Sequence, residues 1–246
     1  MTSSFAFPEK KAFQGLYCLI VPYNDGAHGA GLWSSIKDHD TVFDFLPYGP
    51  WDSEELFREW LSSTIAQFPE QICLAIICQK SAKPLGCLWL HDISATHGTV
   101  EIGGIIYSPA LQRTCMSTEA FYLLASYIFD ELSYRRLQWR CNLDNEKSKK
   151  AALRFGFTFE GIFRQHMLVK GKNRDTAWYS MLDCEWPAQK ENIKTWLNPA
   201  NFDSFGRQLT PLTRNENHTD LQNVSASKYT PNFKQRADNF KPKLRP

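Results

Sequence analysis

The chain has 246 residues, of which 43% are hydrophobic and 14% aromatic, and its formal net charge is +2. A chain of this size and composition can bury a sizeable core, so it is not disordered as a whole. The small charge gives no electrostatic case for a nucleic-acid or membrane partner, and no apolar run approaches the roughly 20 residues that span a bilayer.

The N-terminal half predicts strands and helices in mixed order. Residues 16–22 are typical of a strand, and 28–38 of a short helix. A Pro/Gly-rich loop with aromatic side chains follows at 44–51. Ser53 is a candidate N-cap for a helix at 53–67, where apolar residues recur at helical spacing. Three strand-like runs separated by hairpin-length turns come next, at 72–79, 85–92 and 99–107.

The C-terminal half continues the alternation. It predicts a helix at 117–132, a strand at 135–141, a helix at 145–155 closed by Gly156, and a hairpin around the turn 171–174. Helices that alternate with a mostly antiparallel sheet indicate one α/β (α+β) domain.

Residues 214–246 differ in character from the rest of the chain. They are rich in Asn, Lys, Ser and Pro, and they show no apolar periodicity. We predict a basic, disordered C-terminal tail that either adds solubility or makes a weak contact with an acidic partner.

Cysteine and histidine usage bears on the compartment and on metals. Seven cysteines without a CxxC pair are typical of a reducing compartment, and the N-terminus lacks the pattern of a secretory signal. We therefore expect a cytoplasmic location, with the nucleus also compatible. The six histidines show no metal-binding spacing, so no metal is expected.

A carboxylate lies within an otherwise apolar strand at 99–107. Strand alternation places Glu101 on one face together with Tyr107. Because a buried carboxylate is costly, Glu101 should either face a cleft or have a charged partner. Gly103 and Gly104 permit a bulge or the close approach of a ligand.

The turn at 108–118 joins this strand to a helix. The first backbone N–H groups of a helix lack partners and carry partial positive charge, so an anion such as a pyrophosphate can bind there. Alternatively, Ser117 or Thr118 caps the helix and no ligand is involved. Asn145, at the start of the next helix, either caps that helix or faces the same cleft as the turn.

Several ordered motifs over residues 15–200 resemble the GCN5-related N-acetyltransferases, and more narrowly the branch that contains ribosomal-protein-alanine acetyltransferases. The motifs are E-x-G at 101–103, P-x-L-Q at 109–112, S-T-E-A at 117–120, N-x-x-S at 145–148, G-F at 156–157, E-G-x-x-R at 160–164 and R-D-T at 174–176. The resemblance implies one acetyltransferase domain over 15–200 in which helices flank a mostly antiparallel central sheet that splays open beside strand 100–107.

The resemblance also implies where acetyl-CoA binds. Its pantetheine would pair with the backbone at Ile105 and Ile106, and Asn145 and Ser148 would lie beside that arm. Its pyrophosphate would meet the turn made by Gln112, Arg113, Thr114, Cys115, Met116, Ser117 and Thr118.

The sequence departs from the family pattern in two places. Cys115 and Ser117 replace small residues of the phosphate loop, and backbone binding survives if Cys115 keeps a negative φ. Its sulfur could instead act as a nucleophile, because thiols at helix N-termini have a lowered pKa. Ala152 occupies the place of a tyrosine that many members use to protonate the leaving thiolate.

The implied reaction is direct acetyl transfer from acetyl-CoA to a primary amine, either a protein N-terminus or a small molecule. Glu101 is the candidate general base or, alternatively, a structural carboxylate. Tyr107 is the candidate general acid or, alternatively, a packing residue. The loop 46–51, residues 164–167 and Trp178 are expected to border the acceptor pocket. The rival hypothesis is a non-catalytic acyl-CoA-binding or interaction module on the same fold.

Overall fold

The computed structural model describes residues 4–204 and 206–212, so the predicted tail at 214–246 lies outside the described residues. The strands are β1 Phe13–Gln14, β2 Cys18–Pro22, β3 Ile72–Cys78, β4 Pro84–Ser94, β5 Thr99–Tyr107, β6 Arg136–Asn142, β7 Thr158–Val169 and β8 Lys172–Leu182. The helices are α1 Ala30–Ile36, α2 Glu54–Gln67, α3 Cys115–Ser126, α4 Glu146–Arg154 and α5 Trp186–Trp196. No helix in the described ranges is long and apolar enough to cross a bilayer.

The strands form a single sheet in the order β1-β2-β3-β4-β5-β6-β8-β7. Every neighbouring pair is antiparallel except β5 and β6, which run parallel. The prediction of a mostly antiparallel sheet flanked by helices is therefore confirmed. The domain boundary at 15–200 stays a prediction.

Helices cover both faces of the sheet. One face, here called the α3 face, packs a large apolar core against α3, α4 and α5 through side chains such as Phe121, Ala152 and Ile193. The other, here called the α1 face, packs a smaller core against α1 and α2 through side chains such as Leu32 and Phe57. Because strand side chains alternate, the central strands β3, β4 and β5 supply both cores.

Local capping signals mark the helices as predicted. Ser53 Oγ accepts a hydrogen bond from Leu56 N at 3.3 Å and caps α2, and Asn145 Oδ1 accepts one from Ser148 N at 3.1 Å and caps α4. Gly156 follows α4 with φ +92°, the left-handed conformation that commonly ends a helix.

Candidate active site

The candidate site lies where the central strands β5 and β6 separate. Their parallel pairing joins only residues 99–101 to residues 136–138. Beyond Glu101, β5 continues along β4 to Tyr107, and β6 continues along β8 to Asn142. A wedge therefore opens between two strands that each keep their outer neighbour, so the backbone groups that face the wedge lack a strand partner.

A bulge in β5 decides which side chains face which side of the sheet. Residues 87–89 of β4 lie opposite residues 103–106 of β5, so β5 contains one extra residue, and Gly104 takes φ +56° there. Glu101 lies before the bulge on the α1 face, whereas Tyr107 lies after it and packs against the α3-face core. The prediction that Glu101 and Tyr107 share a face is wrong, because the extra residue reverses the alternation.

Glu101 is a buried carboxylate with only one of its oxygens engaged. Its side chain is 2% exposed, and its Oε1 lies 3.1 Å from Arg140 Nε and 3.6 Å from His91 Nε2. Its Oε2 is buried and has no hydrogen-bond partner among the described residues. Burial raises the pKa of Glu101 to about 7, although the electrostatic interactions with His91 and Arg140 act in the opposite direction.

Asp92 completes a charged cluster with Glu101. Asp92 Oδ2 lies 2.7 Å from Arg140 Nη2 and 3.4 Å from His91 Nδ1. The hydrogen bond with His91 and the charge of Arg140 lower the pKa of Asp92. His91, Asp92 and Glu101 lie close enough together to ligate a metal ion. The guanidinium of Arg140 contacts both carboxylates, however, and already supplies the positive charge of the cluster.

Polar side chains around this cluster have unsatisfied hydrogen-bonding atoms. Arg174 and Trp178 of β8 lie on the same face as Arg140, since Trp178 is the register partner of Arg140. The loop that follows α1 contributes Tyr48, whose ring centroid lies 4.4 Å from that of Trp60. Arg174 Nε, Trp178 Nε1 and Tyr48 Oη are all buried and have no partner among the described residues.

His166 lies in the same region. Its Nδ1 is 3.0 Å from Thr176 Oγ1, and its ring centroid is 6.2 Å from that of Trp178. The structure therefore brings Trp178 near both His166 and Arg140, whose guanidinium lies 5.2 Å from the Trp178 ring centroid. The roles of His166 and Trp178 in binding an acceptor stay predictions.

The turn before α3 differs from its predicted conformation. The helix begins at Cys115, and Thr114 is its cap, since Thr114 Oγ1 accepts a hydrogen bond from Ser117 N at 3.3 Å. The alternative that Ser117 or Thr118 caps the helix is wrong, because Thr114 precedes both. The unusual backbone conformation falls on Arg113, with φ +61°, and not on Cys115.

Other residues of the turn are held from within the protein. Gln112 Nε2 donates a hydrogen bond to Tyr107 O at 2.8 Å, and Thr118 Oγ1 accepts one from Arg154 Nη1 at 3.0 Å. Burial raises the pKa of the Cys115 thiol, so the premise of a reactive thiolate is wrong. The cofactor-binding role of Met116 and the rest of the turn stays a prediction.

Asn145 and Ser148 both have hydrogen bonds inside the protein. Asn145 caps α4, and Ser148 Oγ accepts a hydrogen bond from Trp139 Nε1 at 3.0 Å. These contacts fix the start of α4 beside β6 at the opening of the wedge. Their role beside pantetheine stays a prediction. Ala152, which replaces the family tyrosine, is buried in the α3-face core.

Sequence reasoning missed the partners of Glu101. Arg140 has the same strand parity as Gln138, the residue paired with Glu101, so alternation within β6 was the available signal. His91 is the direct antiparallel partner of Glu101 across β4 and β5. Asp92 takes φ +49° at an irregularity of β4, which periodicity does not predict.

Glu119 has a structural role that the motif alone did not indicate. Its carboxylate accepts hydrogen bonds from the backbone N–H groups of Leu16, Tyr17 and Cys18 at 2.6, 2.7 and 2.8 Å. The buried glutamate therefore connects the first turn of α3 to the start of β2 through three hydrogen bonds.

The model of the acetyltransferase (GNAT) domain family matches residues 22–158, more than half of the chain. The chain belongs to the GNAT acetyltransferase family. The solved structure of a GCN5-related N-acetyltransferase from Brucella melitensis is 42% identical, with a TM-score of 0.81, and the match covers 85% of this chain and 95% of that one. A GNAT-family protein from Chromobacterium violaceum is 41% identical, with a TM-score of 0.71 and coverage of 75% and 92%.

Among curated relatives, this GNAT chain is 32% identical over 105 residues to YdaF of Bacillus subtilis, which is named as a candidate ribosomal N-acetyltransferase. The match covers 43% of this chain and 57% of YdaF, so the chain spans little more than half of that relative. RimL, a ribosomal L7/L12 α-N-protein acetyltransferase, is 20% identical with a TM-score of 0.59 and shares the fold. The predicted resemblance to this branch is confirmed.

Proposed function

We propose that this protein transfers the acetyl group of acetyl-CoA directly to a primary amine, either a protein N-terminus or a small molecule. One observation carries the proposal: the wedge between β5 and β6 begins at Glu101, a buried carboxylate with an unpartnered oxygen. Membership of the GNAT family gives that arrangement its chemical context.

The wedge suits acetyl-CoA in two ways. Beyond Glu101 the wedge side of β5 has no strand partner, so the backbone near Ile105 can pair with the amides of pantetheine, whereas Ile106 is the register partner of Cys87 in β4. The N-terminus of α3 offers the N–H groups of Cys115 and Met116, which have no backbone acceptor in the first turn of a helix, to a pyrophosphate. Arg113 can add a charge contact.

The reaction follows from these positions. Glu101 accepts a proton from the acceptor ammonium, directly or through a water molecule, and the nitrogen lone pair attacks the thioester carbonyl. A backbone N–H near Ile106 polarises that carbonyl as negative charge develops on its oxygen. The C–S bond then breaks and CoA leaves as the thiolate, which takes up a proton. That Tyr107 donates this proton stays a prediction, and it no longer has the support of a face shared with Glu101.

Glu101 suits the role of base for a physical reason. A base is most effective when its pKa lies near the working pH, and burial raises the pKa of Glu101 to about 7. Arg140 holds Oε1 in place and leaves Oε2 available to the proton.

The acceptor remains to be selected from two classes. The names of YdaF and RimL refer to ribosomal acetyltransferases, so peptides copying ribosomal-protein N-termini are the first acceptors to test. Free amino acids and small amines form the second class. We further propose that the protein acts in the cytoplasm without a specific nucleic-acid or membrane partner.

Thiol release from acetyl-CoA, measured with a panel of amines, tests the proposal. We expect saturable release with at least one amine, and a loss of about 10²–10⁴-fold in kcat in Glu101→Gln. Glu55→Gln, which removes an exposed carboxylate from α2, is the matched control and should retain full activity. Saturable acetyl-CoA binding without turnover on any amine would favour the non-catalytic module, and no affinity for acetyl-CoA would overturn both functions.

A further inference from the structure

Arg174 is a buried cation beside the candidate site. The residue is 9% exposed, and its Nε is fully buried without a hydrogen-bond partner in the part of the chain that the structure describes. Among the described residues, no carboxylate forms an ion pair with it. Burying a guanidinium without a partner is costly, so we expect such a group to bind a ligand.

The charges nearby do not remove this deficit. Arg140 forms ion pairs with both Glu101 and Asp92, and neither carboxylate forms an ion pair with Arg174. Burial lowers the pKa of Arg174, and the positive charge of Arg140 acts in the same direction, although the charge of Glu101 opposes both. The cluster therefore contains one guanidinium more than its carboxylates engage.

The unsatisfied atoms around the cluster are of complementary kinds. Glu101 Oε2 is a hydrogen-bond acceptor, whereas Arg174 Nε and Trp178 Nε1 are donors and the Tyr48 hydroxyl can serve as either. A ligand that satisfies them carries a donor, such as an ammonium, next to oxygen acceptors. A neutral carbonyl would satisfy the hydrogen bonds of Arg174, but only an anion would also balance its charge.

We propose that Arg174 is a specificity-determining residue that binds a carboxylate of the acceptor, close to the amine that is presented to Glu101. This inference rests on the proposed acetyl transfer and narrows its acceptor class to amines that carry a neighbouring carboxylate. Trp178 and Tyr48 supply further hydrogen bonds to that carboxylate.

The carboxylate can come from two sources. In a free amino acid it is the α-carboxylate, whereas in a protein it is the side chain of an N-terminal Asp or Glu. Matched acid and amide probes distinguish the sources: alanine against alaninamide, and pentapeptides that begin with Asp against pentapeptides that begin with Asn.

Calorimetric binding of each probe to the CoA-saturated protein tests the inference without requiring turnover. We expect the acid of at least one pair to bind at least tenfold more tightly than its amide. Arg174→Gln should abolish this preference, and Arg174→Lys should retain part of it, because lysine keeps the charge and loses the forked donors. Lys172→Gln removes an exposed positive charge from the same strand and should leave the preference unchanged.

The outcomes separate this inference from the proposed function. Equal binding of acid and amide in every pair, or no binding of any probe by the wild-type protein, overturns the role of Arg174. Turnover on amines without a preference for the acid supports acetyl transfer and contradicts only the proposal that Arg174 binds an acceptor carboxylate. An acid preference that disappears in Arg174→Gln, without thiol release on any amine, supports the binding role and contradicts acetyl transfer.

Discussion

Arg140 Nε lies 3.1 Å from Glu101 Oε1, and the same guanidinium reaches Asp92 Oδ2 at 2.7 Å. Arg140 therefore fixes the orientation of the Glu101 carboxylate through one oxygen and leaves Oε2 to other chemistry. Because the guanidinium is divided between two carboxylates, it only partly offsets the effect of burial on Glu101. The pH dependence of the reaction should therefore show the raised pKa of Glu101.

The first prediction concerns the pH dependence of kcat/KM. Glu101 must be deprotonated to accept a proton, and its pKa is raised to about 7, so kcat/KM should rise with pH through about 7 and fall about tenfold per unit below it. An α-amine acceptor adds its own inflection near pH 7.7–8.0. In Glu101→Gln the lower inflection should disappear and the upper one remain. An unchanged lower inflection in that variant would assign the titration to another group.

The second prediction concerns stability at the start of α3. Glu119→Gln replaces a carboxylate that accepts three backbone hydrogen bonds and should lower the free energy of unfolding by about 3 kcal/mol. Glu131→Gln is the control, since Glu131 is 58% exposed and forms an ion pair with the partly exposed Lys11. It should cost less than about 1 kcal/mol in urea unfolding. Equal losses in the two variants would contradict the connecting role of Glu119.

The third prediction concerns Cys115. The residue occupies the first position of α3 with an ordinary backbone conformation, so Cys115→Gly and Cys115→Ser should retain the affinity for CoA within about threefold, and the glycine variant should lose up to about 1 kcal/mol of stability. Calorimetric titration with CoA measures the affinity. If binding and turnover collapse in both variants, the sulfur and not the backbone carries the function.

The fourth prediction concerns the bulge in β5. Gly104 has φ +56°, and a Cβ there would lie 2.5 Å from Trp89 Cδ1. Gly104→Ala should therefore lower the free energy of unfolding by about 2–4 kcal/mol. Gly171→Ala is the matched control, because Gly171 also has positive φ (+73°) but an added Cβ would meet no atom within 4 Å. If both variants lose about the same 1–2 kcal/mol, the contact with Trp89 has no cost of its own.

Features that depend on neighbouring residues could be predicted from the sequence. The caps at Ser53 and Asn145 and the left-handed Gly156 each follow from the chemistry of a single helix end. Residue alternation and turn residues predicted the strands, and the structure joins these strands in a mostly antiparallel sheet. Glu101 was correctly expected to need a cleft or a charged partner, and it has Arg140.

Features that depend on contacts across the fold could not be predicted. Alternation placed Tyr107 beside Glu101, but one extra residue in β5 moved it to the opposite face. Arg140 and Arg174 come near Glu101 because β6 pairs with β5, and because β8 lies next to β6 in the sheet, out of chain order. The start of α3 depended on whether Thr114 or a later hydroxyl makes the capping bond, and both were chemically suitable.

The separation of the two apolar cores has an evolutionary consequence. The turn and helices proposed to hold acetyl-CoA pack on the α3 face, whereas the aromatic loop and Arg174 surround the α1 face. Substitutions that share no contacts usually have additive effects. New acceptor preferences can therefore accumulate on one side of the sheet by independent steps, while the side that recognises the acetyl donor keeps its sequence.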